Sequence, residues 1–214
     1  MVSWRSHQVL GREVCGFVSR DIDALIDHSS RHDSSRYDVE ELLRLVLEVR
    51  KRFGDKGLCY AFLHHFLDRA TDIVVSTASS YEMFRDSNNV CEVFAETVYR
   101  RLVNDFKNIL VAIYWNPQAK PEIAGEVWEY IDHVLYELRY RRRRVLLEIL
   151  SDKDFETTFR RTMIARLAKT VLSISYRMIW GTYRGEVDLE SLREQEIKKF
   201  TEFYAALLEC YSQT

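Results

Sequence analysis

Glycine and proline are scarce in this chain, at seven and two among 214 residues. So few punctuation points cannot supply the many tight turns of a sandwich or barrel, and they favour long uninterrupted helices. No stretch approaches the roughly 20 consecutive apolar residues of a membrane span. The opening Met-Val-Ser-Trp-Arg-Ser-His lacks the basic region, apolar run and cleavage site of a secretory signal. An intracellular, soluble chain without a membrane span is expected.

Cysteine is also sparse. Cys15, Cys59, Cys91 and Cys210 are far apart and form no C-x-x-C pair, which excludes a locally written zinc knuckle or thioredoxin-like site. They are expected as buried free thiols, with disulfides as the alternative if the chain belongs to a hyperthermophile, where intracellular bridges occur. Arg outnumbers Lys by 23 to 8, and abundant Arg and Glu lean weakly that way. Catalytic signatures are missing too. There is no Gly-x-Ser-x-Gly elbow, Walker loop or dinucleotide fingerprint, and no cofactor is expected.

What the chain does have is apolar content, 47% hydrophobic and 13% aromatic, enough to bury a core within one domain. Periodicity and capping signals predict an all-α bundle of about seven helices, the two long ones of the C-terminal half included. The first spans about His7 to His28, followed by a polar loop over 29–36. Asp38 with Glu41 forms a capping box for a second helix that ends near Phe53, before Gly54-Asp55-Lys56-Gly57. A third covers Leu58 to Thr77. After a Ser/Asp/Asn-rich stretch, Asn89 and Glu92 cap a fourth that reaches Tyr114 or Trp115. Asn116-Pro117 and Lys120-Pro121 make the weak break at 116–121 in an otherwise single domain, and Pro121 opens helix five, which continues to Leu150. Ser151-Asp152-Lys153-Asp154 form a short connection with capping character to helix six, over Phe155 to Tyr183 and ended by Gly185. Asp188 caps the last helix, Leu189 to Tyr211.

Charge is unevenly distributed. Residues 139–184 carry twelve basic and four acidic side chains, a segment of +8 in a chain whose total is −2. Clustered cations draw polyanions even when the whole protein is near neutral, and nucleic acid is the commonest polyanion. On a helical wheel Trp128, Ile131, Val134, Leu135, Leu138, Val145, Leu146 and Ile149 share one apolar face of helix five, with Arg142 in the middle of it. A buried guanidinium needs a carboxylate, a path to water along its stem, or a groove. Glu137 and Glu148 stand four residues from Arg141 and Arg144 and neutralise them in place, leaving Arg139 and Arg143 available. Helix six groups Arg166, Lys169, Arg177 and Arg184 on one flank, with Ser173, Tyr176 and Trp180 between. Cations interleaved with aromatics suit phosphate contacts and base stacking.

The leading expectation is therefore a non-catalytic protein that coats or packages DNA or RNA as a nucleoprotein through Arg139, Arg142, Arg143, Arg166, Lys169, Arg177, Trp180 and Arg184. The alternative is a helical scaffold that meets an acidic protein surface or assembles into a homo-oligomer. A third reading, a metal-dependent hydrolase on His64, Asp68, Glu129 and His133, has weaker spacing. Di-iron bundles use Glu-x-x-His in two copies, whereas Glu129 and His133 are four apart with no second copy. His64 and His65 read as partly buried helical histidines, and Asp68 with Asp72 as an exposed acidic face near Arg69.

Overall fold

The computed structural model describes residues 3–27, 39–78, 84, 89–114 and 121–212. They form eight helices with no strand among them: α1 (Trp4–Val14), α2 (Arg20–Asp27), α3 (Val39–Ala78), α4 (Val90–Tyr114), α5 (Pro121–Tyr140), α6 (Arg142–Leu150), α7 (Lys153–Ile179) and α8 (Leu189–Ser212). The all-α class expected from composition is the class found. The expected loop at 29–36, the Asp38–Glu41 cap, most of the polar stretch before Asn89 and the break at 116–120 lie outside the described residues or side chains.

Helix α3 is the hub, packing against α1, α2, α4, α5 and α7. From Leu58 to Ala78 it is buried on nearly every side, with Leu63, Phe66, Leu67 and Val74 among its core residues. A helix apolar all round must be surrounded. Against it α4 sets Phe94, Val98, Leu102 and Phe106, and α5 sets Val127, Ile131, Val134 and Leu138, each at three- or four-residue steps. A smaller cluster joins Ile22 and Ile26 of α2 to Leu45, Val49, Tyr60 and Ala61 of α3. None of the described helices is long and apolar enough to cross a membrane.

Several boundaries differ from the sequence expectation. The single helix expected over 7–28 is two, because Gly16 adopts a left-handed φ of 59° just after the end of α1. Glycine takes that conformation without a Cβ penalty, and it turns the chain out of the helix. Helix five divides at Arg141, whose φ of −100° and ψ of 16° leave the helical region. The predicted break after Phe53 is a kink at Gly54 inside α3. Gly181, with φ of 66°, ends α7 four residues before the expected Gly185. Trp128, placed on the apolar face, is half exposed. Two caps match expectation: Asp152 accepts from the amides of Asp154 and Phe155, and Asp188 from those of Glu190 and Ser191.

The cysteines are not free thiols. Cys15 bonds Cys59, and Cys91 bonds Cys210. The first bridge fastens the end of α1 to α3, and the second fastens the first turn of α4 to the last turn of α8. Helix packing brings together residues that sequence spacing keeps 44 and 119 apart.

Candidate nucleic-acid interface and a buried histidine–aspartate cluster

The arginines around the α5–α6 junction are held by carboxylates. Breaking the helix at Arg141 turns α6 relative to α5, so Arg142 leaves the apolar face and reaches α4. Its guanidinium bonds Glu92 and lies 2.9 Å from Glu96. The Asn89 half of the expected capping box is present, the Glu92 amide donating to Asn89 Oδ1 at 3.3 Å. Arg143 stands 3.6 Å from the same Glu92. Arg141 meets Glu137 at 3.4 Å, and Arg144 meets Glu148 at 2.9 Å and Glu13 at 3.6 Å. Arg139 stacks over the Tyr99 ring at 5.7 Å.

Arg142 is therefore a stabilising link between α4 and α6. Its side chain is 28% exposed and its partners about a third, so solvent screening keeps each pair near the modest value of a surface bridge. Arg142→Met should lower the unfolding free energy by about 1–2 kcal/mol in urea titrations. No change would show that both pairs are idle.

The outer part of α7 is different. Between Phe159 and Phe200 no residue is buried, so this half of α7 and the start of α8 form a two-helix arm standing off the core. Among the described residues no ion pair reaches Arg166, Lys169, Arg177 or Arg184. Beside them Tyr176 and Trp180 are 62% and 68% exposed, their ring centroids 5.8 Å apart. Ile164, Leu172 and Ile179 are also exposed, the last at 80%. At 100° per residue Ile164, Leu172, Tyr176 and Ile179 fill a sector of about 120°, and Lys169, Arg166 and Arg177 fill about 80° next to it.

A second constellation lies where α1, α2 and α3 meet. His7, Asp23, His64, His65 and Asp68 are all buried. His64 donates from Nδ1 to Asp23 Oδ1 at 3.0 Å, and its Nε2 lies 3.1 Å from Asp27 Oδ1 and 3.4 Å from Asp68 Oδ2. Tyr60 donates to the same Asp23 oxygen at 2.8 Å. Trp4 Nε1 donates to Asp27. The His7 ring stacks on His64 with centroids 4.0 Å apart and planes 2° from parallel. Gly11 permits this close approach of α1 to α3, since a Cβ there would fall 2.4 Å from the Tyr60 ring.

Burial alone would depress His64, but its bonds to Asp23, Asp27 and Asp68 outweigh that and hold its basicity well above the usual range. Burial would raise Asp68 and Asp27 as well. The nearby His64 and His7 rings hold Asp68 well below the carboxylate range, and bonds from His64 and Trp4 lower Asp27. His65, desolvated and beside the His64 charge, is pushed down to about 3 and stays neutral.

This corrects the expected metal set. Glu129 and His133 are exposed on α5, far from sharing a buried centre with His64 and Asp68, and Asp68 is no exposed acid. Only Asp72 is exposed, 3.9 Å from Arg69. His7, Asp23 and Asp27 were missed because they come from other helices. The signal was there in part: His64, His65, Asp68 and Arg69 interrupt an otherwise apolar run from Leu58 to Ala70. No protein-family model, curated protein or solved structure matches the chain.

Proposed function

We propose that this chain is a structural, non-catalytic protein that coats nucleic acid, with the outer flank of α7 and the turn beyond it as the contact surface. The observation that carries this reading is the contrast between two sets of arginines. Arg141 to Arg144 face carboxylates, whereas Arg166, Lys169, Arg177 and Arg184 are without an ion pair among the described residues and adjoin exposed Tyr176 and Trp180. Free cations grip phosphates, and the rings stack on bases or sugars.

Four phosphate contacts on duplex DNA predict a log–log salt slope near −3.6, which is a loss of about a hundredfold in affinity from 50 to 200 mM salt. Changing Arg166, Lys169, Arg177 and Arg184 together to Gln should flatten that slope, and Arg142→Met should leave it unchanged. Filter binding with duplex DNA and with single-stranded RNA measures both. The proposal fails if the chain binds neither at low salt, or if the quadruple variant keeps the full slope.

The apolar sector of the arm favours a second role beside the first, assembly with another copy. Ile164, Leu172 and Ile179 are too exposed for a helix that ends its contacts at solvent. Helix α7 carries six basic and two acidic residues, and α8 three basic and five acidic. Setting α7 of one copy against α8 of another therefore buries the apolar sector between opposite charges. Leu172→Glu with Ile179→Glu should then convert an oligomer to a monomer in sedimentation. A wild-type chain that is already monomeric at high concentration would refute this role.

A further inference from the structure

We propose that His7, His64 and Asp68 hold a divalent transition-metal ion of the zinc class, so that the ion fastens α1 to α3. The donor atoms of His7, His64 and Asp68 all lie within 4.8 Å of one another. His7 Nε2 to Asp68 Oδ1 and His64 Nε2 to Asp68 Oδ2 are both 3.4 Å, and His64 Nε2 to Asp27 Oδ1 is 3.1 Å. Ligand atoms each about 2.0–2.1 Å from a tetrahedral ion stand about 3.3–3.4 Å apart. The two distances to Asp68 run to its two oxygens, and each is close to the separation of ligands around a shared ion.

An independent observation points the same way. His7 is 1% exposed, yet neither of its ring nitrogens makes a hydrogen bond, and Asp68 Oδ1 makes none either. Buried polar atoms left in that condition are costly, and an ion between them would satisfy Nε2 and Oδ1 at once. The surroundings also have the form of a prepared site. Asp23 accepts a hydrogen bond from Nδ1–H of His64, which aims Nε2 at the cluster, and Tyr60 fixes Asp23 in turn. Metal-bound histidines are oriented by such a carboxylate behind them.

Imidazole and carboxylate donors suit zinc and its first-row neighbours better than calcium or magnesium, which take oxygen alone. The depth of the cluster makes this a structural ion, and the Cys15–Cys59 bridge beside it joins the same two helices.

The test uses the untagged chain with both disulfides intact, stripped by chelator and then dialysed against Zn²⁺ or Co²⁺. Expected are one equivalent of bound ion by elemental analysis, the intense visible bands of four-coordinate Co²⁺, and a higher Tm with Zn²⁺ than without. His7→Gln should abolish binding, whereas Asp23→Asn, which spares every ligand, should weaken it about 10- to 100-fold. Wild-type protein that retains no ion, Co²⁺ that keeps its hydrated spectrum, or a folded His7→Gln variant that binds as tightly as wild type would each overturn the proposal. Should His7→Gln fail to fold, the wild-type stoichiometry and the Co²⁺ spectrum still decide it.

Discussion

Replacing Cys91 and Cys210 together with serine should lower the unfolding free energy by about 5 kcal/mol, the largest effect expected of any substitution pair in this chain. The bridge spans 119 residues, and cross-linking a long loop removes most of the entropy that the unfolded chain would gain by releasing its ends. Its partners sit in the first turn of α4 and the last turn of α8, so without it α8 depends on side-chain packing and a few side-chain hydrogen bonds. Tyr211, buried and donating to Cys91 O at 2.6 Å, would remain as a tie beside Tyr204, which donates to Leu150 O. The Cys15–Cys59 bridge closes 44 residues and should be worth about 4 kcal/mol by the same argument. Guanidinium unfolding of the wild type, the serine pairs and the reduced wild type measures all of these. Reduced wild type that matches the oxidised form to within about 1 kcal/mol would mean that the bridges contribute nothing.

Those bridges mark the limit of what could be read from the sequence. Helix class followed from the shortage of Gly and Pro, and the Asp152 and Asp188 caps were legible because capping acts within three residues. Arg141 with Glu137 and Arg144 with Glu148 were legible for the same reason, being local pairs on one helix. Other features depend on backbone choices with several solutions. Gly16 and Gly181 stop helices where Gly185 or no residue at all was expected, since glycine permits a left-handed turn without compelling it. The wheel that placed Arg142 among apolar residues assumed one straight helix through Arg141. With the phase reset there, the side chain meets Glu92 and Glu96, 50 and 46 residues away. The histidine–aspartate cluster is illegible for a related reason. Its members come from three helices, and only their packing shows that His7 and Asp23 belong with His64.

Phe159→Ala should cost about 3–5 kcal/mol, as removing a fully buried aromatic does when the site cannot collapse. Phe159 is 1% exposed and is the last buried residue of α7, at the point where the arm leaves the core. Its ring lies 4.2 Å from that of Phe200, the first buried residue of α8, 5.1 Å from Tyr204 and 5.4 Å from Phe155. Tyr204 in turn donates to the carbonyl of Leu150, so the four rings tie both arm helices to α6. Removing the central one should do more than lower stability. Amide exchange over 160–199 should accelerate beyond what the global loss requires, because among the described residues none between Phe159 and Phe200 is fully buried. Since Arg166 to Arg184 lie outside that anchor and keep their charge, the salt slope for nucleic acid should persist while assembly through the arm weakens. Equal exchange rates along the arm, with the full stability loss elsewhere, would mean that the arm is held by something other than this ring cluster.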